Sequence, residues 1–485
     1  MKTQGYLLVL IGLFSFRISG QVLVFQQQEP QINAENWIDM GLRNWKNPQH
    51  RKGFFKYDSL YLLSYRDSLG ATISASPIFN LWAGTEQGNS GLKYQNSRGL
   101  LVTAGHKRFS CYVMLMENQA FLPDYQTQFI KTHGEFYPGP IDYNQQNGMV
   151  PGGGRTKPFK NNGFDYAFSQ GGLKWGLSKR ITVFGGNGNI RIGEGLRSLF
   201  WSNHNQALLI GTTINITPHL QYILTKGRLY DLIRKPKYAN VESPYYIKGY
   251  SMNALIYSLK KLRAGIVYQT IWEGGDSLRE RSLSPWFWSP IGGVDRLAKT
   301  RVSLPQWGFV GHYIPVSNLL IYGEAFSRGL KKSSMSFQAG VGYSPKLNGP
   351  FALNVNLAFI HVGSCFYGDN YSLSFTTNNL PLGSILGNGT QEILFSGKLN
   401  YRRLYLDLLM QYYTTESPKN VLFRPTYTAE EEVIHAMGEF GFLVNPITQC
   451  TLFALCDLRQ GSYSLQTLVF SLGIKTAIFP NRHVY

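Results

Sequence analysis

Late in the chain, apolar and polar positions alternate with a period of two. In FALNVNLAF, Phe351, Leu353, Val355, Leu357 and Phe359 share one face, while Ala352, Asn354, Asn356 and Ala358 share the other. In LYLDLLMQY, Leu404, Leu406, Leu408, Met410 and Tyr412 oppose Tyr405, Asp407, Leu409 and Gln411. In ILFSGKLNY, Ile393, Phe395, Leu399 and Tyr401 oppose Ser396, Lys398 and Asn400; near the end Leu468, Phe470, Leu472 and Ile474 oppose Ser471, Gly473 and Lys475. This is the pattern of strands with one greasy face and one small or charged face. About nineteen such runs can be marked between Ser59 and Phe479, and because single-chain membrane barrels have even strand numbers, about eighteen strands are predicted.

A soluble sandwich also alternates. Three features favour a transmembrane antiparallel β-barrel. The runs are about 9–13 residues long, which suits a tilted span. The joints alternate between tight (SYRDSLGA, YRRLY, VNPIT) and very long, as periplasmic turns and extracellular loops do. Tyr343, Tyr401, Tyr412, Tyr413, Trp272 and Trp307 sit at run ends, where interfacial girdles would need them. The predicted layout is a signal at residues 1–20, a periplasmic extension, short helix or plug at 21–57, a barrel over 58–479, and a tail at 480–485. Long loops are expected at 118–163, 273–300 and 363–391. Within the extension, Trp37, Met40, Leu42 and Trp45 suggest a short amphipathic helix over Ala34–Trp45.

Composition fits an all-β chain. Charged residues are only 15% and aromatics 14%, with 51 glycines to supply turns. Lys2, the apolar run Tyr6–Phe16 and the small exit Ile18-Ser19-Gly20 read as a secretory signal. An exported chain has no route to nucleic acid. Its net charge of +19 therefore points to outer-membrane lipid, lipopolysaccharide phosphates or acidic polysaccharide as partners. Cys450 and Cys456 fall on one face of one run, roughly 20 Å apart, too far to bridge. Cys111 and Cys365 remain a candidate pair. No cysteine–histidine spacing suggests a metal, and no cofactor is expected.

The densest chemistry is GGNGNIRIGEG, Gly185–Gly195, followed by Arg197, Ser198 and Asn203. The glycines lack the strand–turn–helix context of a phosphate-binding loop, so they are read as small lumen-facing or bulge residues. If they point into the lumen, Glu194 and Arg197 could pair there and pin the structure. Ser198 and His204 are weighed as a hydrolase pair and set aside, because no orienting carboxylate is identifiable. Trp286, Phe287 and Trp288, with Arg279 and Arg281 nearby, form a candidate platform for an acidic glycan, although interfacial anchoring or a loop core is the favoured role.

The stretch ITVFGGNGNIRIGEGLRSLFWSNHN resembles the signature of the Wzi-type capsule-assembly family, and more closely its Bacteroidetes branch that includes the gliding-motility protein RemB. Gly186, Gly188, Gly193, Gly195, Arg197, Ser198, Leu199, Ser202 and Asn203 carry the match, with MENQAFLPDY and a later YPGP in support. Phe200-Trp201 stands where the family tends to have leucines. The resemblance spans Leu60–Phe479. It implies a barrel of about eighteen strands without enzymatic activity that helps hold capsular or other exopolysaccharide. The RemB branch implies a gliding or secretion-linked surface role instead, and the same fold also admits a diffusion channel.

Overall fold

The computed structural model describes residues 38–39, 63–136, 147–189, 191–193, 195–234, 245–274, 285–294, 303–329, 331–345, 347, 349–368, 373–416, 430–445, 450–462 and 466–476. Eighteen antiparallel strands close into a barrel. They are β1 (Thr72–Glu86), β2 (Asn89–His106), β3 (Phe109–Phe121), β4 (Gly163–Gly176), β5 (Ile181–Asn189) and β6 (Gln206–Asn215). Next come β7 (Leu220–Arg234), β8 (Tyr245–Ser258), β9 (Leu262–Glu273), β10 (Ser303–Tyr313), β11 (Leu319–Ser327) and β12 (Met335–Tyr343). The last are β13 (Phe351–Val362), β14 (Thr390–Tyr401), β15 (Leu404–Thr415), β16 (Glu431–Asn445), β17 (Cys450–Gly461) and β18 (Thr467–Thr476). Closure comes from β18, whose Val469–Lys475 pairs with Asn80–Glu86 of β1.

The first of the nineteen marked runs is the one that does not span. Its described part is a four-residue strand, Leu63–Arg66, which pairs with Thr72–Ala75 on the same edge of β1 that meets β18 higher up. It fills the foot of the seam.

Alternation sorts each strand cleanly. Outward positions expose Leu208, Ile266, Phe309, Leu357, Ile393, Met410, Phe440, Leu452 and Leu472. Apolar side chains this numerous and this continuous are stable against hydrocarbon rather than water. Trp175, Tyr257, Tyr313 and Tyr343 end their strands on the tight-turn side and form the lower girdle. Among the described residues no helix is long and apolar enough to cross a membrane. The outer wall also carries charge near the extracellular rim, where Arg98 meets Glu117 at 3.5 Å.

Several expectations change. All four cysteines are free, so Cys111 and Cys365 do not pair; Cys111 lies on an outward position of β3 and Cys365 in the loop after β13. Ile38–Asp39, expected to be helical, is a strand paired with Arg191–Ile192; the rest of Ala34–Trp45 lies outside the described residues. The loop expected from Asn118 begins later, because β3 runs to Phe121, and it contains a helix, α1 (Asp124–Thr132). Polar residues before Gly99 hid the first half of β2, which starts at Asn89.

Candidate functional site

Beyond β5 the chain turns into the barrel rather than out of it. Ile192 donates to the Trp201 carbonyl at 2.9 Å, closing a loop whose tip, Leu199, Phe200 and Trp201, is fully buried. Phe200 stacks on Phe326 (centroids 5.3 Å) and Trp201 meets Tyr250 edge-on (4.9 Å). Two inward carboxylates hold it. Glu324 of β11 accepts from the Leu199 amide at 2.8 Å, and Glu392 of β14 accepts from Arg197 Nε at 2.8 Å. Arg197 therefore has Glu392 as a carboxylate partner; Glu194, the candidate from the sequence, lies outside the described residues. Ser198 knots the turn, its hydroxyl donating to the Ile192 carbonyl and accepting from the amides of Phe200 (2.9 Å) and Trp201 (3.2 Å).

Two motif glycines are required by geometry. Gly193 (φ +125°) and Gly195 (φ +75°) adopt left-handed backbone, and a Cβ would strike Glu324 and Ser198 at the first and the Tyr322 ring at the second. Gly186 and Gly188 lie on inward positions of β5, where a Cβ on Gly186 would meet the Gly171 backbone. Asn203 is half-buried in the loop. His204 Nε2 lies 2.7 Å from the Pro381 carbonyl, so the hydroxyl of Ser198 and the imidazole of His204 each engage a backbone carbonyl rather than each other.

Pro381 belongs to a second inward loop, 373–389, which lies beside the first. Phe375, Leu380 and Leu382 are fully buried. Tyr367 joins the two loops, donating to the Leu199 carbonyl (3.1 Å) and accepting from the Ser384 amide (2.6 Å). The wall grips this loop through Lys248 of β8 and Asp231 of β7, paired at 2.6 Å and both buried. Lys248 also donates to Ser374 and Thr376, and Asp231 accepts from the Thr376 hydroxyl (2.7 Å) and the Asn379 amide (3.0 Å). Every polar atom of the pair is thereby engaged, which is what makes a buried ion pair tolerable.

The third inward element is α1. Its first amide donates to Glu86 of β1, and Lys93 of β2 bridges Glu86 (2.7 Å) and Asp124 (2.5 Å). One residue on, Tyr125 donates to Asp457 of β17 (2.9 Å), which also holds His435 of β16 at 2.7 Å. Beyond α1, Glu135 accepts from Asn147 (2.7 Å) and pairs with Arg155 (2.9 Å) and Arg234. Burial would raise the Glu135 carboxyl, but these hydrogen bonds and the two guanidinium charges outweigh it and hold it below its ordinary value. Burial would likewise raise the Asp124 carboxyl, but the hydrogen bond and charge of Lys93 outweigh it, and Asp124 too lies below its ordinary value. A depressed carboxylate stabilises the docked loop above its unfolded value and loses that contribution as pH falls through the folded one. Below about pH 4, the ordinary carboxylate range, the 122–162 loop is expected to loosen, read as faster pepsin cleavage there than in the barrel strands. Equal cleavage at pH 5 and pH 3 would contradict this.

The three loops all pack inside the extracellular half of the lumen. Below them the inward face is polar and open: Asn354 pairs across with Lys398, Lys398 with Asp407, and Asp407 with Glu439, which Lys475 binds at 2.6 Å. Asn354 and Lys398 are exposed there. The gripping residues Asp231, Lys248, Glu324 and Glu392 were not singled out from the sequence. Their only signal is a charge at the inward phase of an otherwise apolar-outward strand.

Trp286, Phe287 and Trp288 are not at the mouth. Pro285–Trp288 forms a short 3-10 turn lying on the outside of the wall. Phe287 is 2% exposed, packed edge-on against Trp272 at 6.2 Å with Lys226 over its ring at 5.2 Å, so it has no face free for a sugar. Trp286 and Trp288 remain exposed; Arg279 and Arg281 lie outside the described residues.

No family model matches the chain, and no curated protein matches it in sequence. Among solved structures it is similar to Wzi of Escherichia coli, described as an outer membrane protein involved in group 1 capsule assembly and a carbohydrate-binding β-barrel. That match has 12% identity over 83% of this chain and 84% of Wzi, with a TM-score of 0.54. It is also similar to Pseudomonas aeruginosa OpdL (9% identity, 84% and 98% covered, TM-score 0.42) and to a BenF-like porin of Pseudomonas fluorescens (9%, 85% and 98%, TM-score 0.43). The chain has the fold of an outer-membrane β-barrel. The Wzi likeness agrees with the resemblance carried by the glycine-rich motif.

Proposed function

We propose that the protein is a non-enzymatic component of the outer membrane that holds acidic capsular or other exopolysaccharide at the cell surface. The observation that carries this is the stoppered mouth. A barrel whose extracellular half is filled by three fastened loops offers a surface rather than a hole. That surface is basic: Lys131, Lys157 and Lys160 from the first loop and Lys331 and Lys332 from the β11–β12 loop are all exposed at the extracellular end. Exposed lysines attract polyanions through additive, salt-sensitive forces without needing a shaped pocket. The likeness to a carbohydrate-binding barrel and the motif resemblance both support this role. A diffusion channel is disfavoured by the same stopper.

Binding of acidic polysaccharide to the purified protein in detergent, measured at low and physiological salt, tests the proposal. The wild type is expected to bind more weakly as salt rises, and the triple substitution Lys131→Gln, Lys157→Gln, Lys160→Gln to lose roughly tenfold or more at low salt. Binding absent for every acidic polysaccharide, or steady open pores in a planar bilayer, would overturn it.

A further inference from the structure

The segment Pro285–Gly293 rests on the membrane-facing side of β7–β9, far below the rim it came from. Its position follows from strand phase. Asp231 and Lys248 point into the lumen, because they hold the loop at Ser374–Asn379. Tyr222 and Lys226 on β7 and Asn253 on β8 have the opposite phase and point outward. These are the residues the segment touches. The Pro290 carbonyl accepts from Tyr222 Oη and from Asn253 Nδ2 (2.8 Å), and the Ser289 carbonyl from Lys226 Nζ (3.0 Å). A Cβ on Gly292 would meet Tyr268 and Asn253.

Depth can be read from the strands. At ~3.3 Å per residue and a tilt of ~40°, each residue covers about 2.5 Å of membrane thickness. Asn253 pairs with Tyr268 of β9 and lies four residues, about 10 Å, above the lower-girdle residue Tyr257 on β8, so this level falls inside an apolar band ~25 Å tall. Irregular backbone does not survive at such depth unless its polar groups are satisfied. Several are satisfied here: besides the three bonds from the wall, Ser289 N donates to the Trp286 carbonyl (3.1 Å), and the Ser289 hydroxyl both accepts from Ile291 N and donates to Ile291 O (3.1 Å each). Pro285 and Pro290 have no amide to satisfy. What faces away from the wall is apolar: Trp286 is 48% exposed, Trp288 64% and Ile291 68%.

We infer that Pro285–Gly293 is a re-entrant strap that dips into the apolar band of the membrane, and that its partner is lipid acyl chain, into which Trp286, Trp288 and Ile291 insert. The strap accounts for an anomaly of the wall. Lys226, Ser251, Asn253 and Thr270 occupy outward positions where neighbouring strands carry Leu208, Ile266 and Phe309, and all four are buried beneath or beside it. The wall supplies donors and the strap supplies the greasy surface, so the belt stays continuous around the barrel.

The test compares the full chain with its Trp286→Phe, Trp288→Phe variant in phosphatidylcholine vesicles, plain or brominated in mid-chain. The emission difference between the two proteins reports the strap tryptophans above the chain's others. That difference is expected to fall severalfold in brominated lipid and to resist aqueous iodide. Quenching by iodide and not by bromine would overturn the proposal and return these rings to water, where a glycan could reach them. Quenching by neither would also overturn it, since another protein would then cover the strap. Tyr222→Phe with Asn253→Leu removes both bonds to Pro290 and is expected to make the difference iodide-sensitive; no change would show that the strap is not held as described.

Discussion

Lys248→Met is expected to destabilise the protein by about 3–5 kcal/mol, because it leaves the Asp231 carboxylate buried without its counter-ion. The pair is sealed between the wall and the loop at Ser374–Asn379, with side chains 1% exposed. Lys248 has three further acceptors there, so the substitution also strands the Ser374 carbonyl. The damage should centre on the second loop, since β7 and β8 keep their backbone ladder. Urea unfolding in detergent gives the magnitude, and proteolysis near Leu380 gives the place. Adding Asp231→Leu should recover much of the loss, since removing both partners of a buried pair costs less than removing one. A loss under 1 kcal/mol for the single variant would mean the loop is not held by this pair.

Gly195→Ala should be nearly as harmful by a different cause. The residue sits at φ +75°, which a Cβ disfavours, and the new methyl would overlap the Tyr322 ring. Left-handed strain and overpacking each cost about 1–3 kcal/mol, so a combined loss of about 2–5 kcal/mol is expected. Tyr322 also accepts from the Leu196 amide and donates to Asn356 (2.9 Å), so pushing it aside disturbs the fastening of the motif loop to β11 and β13. The barrel itself should persist. The visible result should be transient conductance in a planar bilayer where the wild type is silent. Combining Gly195→Ala with Tyr322→Ala should recover the overpacking part and leave the backbone strain. Wild-type stability in Gly195→Ala would show that the loop has room the structure denies it.

The barrel was legible because alternation is a strong local signal wherever one face meets hydrocarbon. Phe351–Phe359 and Leu404–Tyr412 announce their phase residue by residue. The signal fails where that asymmetry ends. In its upper half, β2 runs through Asn96, Ser97 and Arg98 with no greasy face to mark it. Helix α1 was missed because its nine residues carry no sustained apolar stripe; it is fixed by Glu86 and Asp457, which are distant in sequence. The motif was recognisable as a cluster of glycines and polar residues, but its partners Glu324 and Glu392 are set by barrel closure, which no local pattern reports. Trp286–Trp288 stood out as aromatic, yet which surface it covers depends on outward residues of three strands. There the sequence showed a broken alternation whose cause is a segment folded back on the wall.

The dry contacts of the stopper lie on one side of the barrel. Tyr250, Met252, Val267, Ile271, Val310, Phe326 and Ile360, all from β8–β13, form the apolar bed on which the inward loops rest. The facing arc carries Asn80, Lys93, His435, Glu439, Asp457, Arg459 and Lys475 instead. The interior is therefore lopsided: an apolar bed, interrupted by the buried Lys248 and Glu324, lies on one side, and an ionic arc faces it. Water entering from the periplasm would wet the ionic arc first and climb it toward α1, leaving the apolar bed on the other side dry.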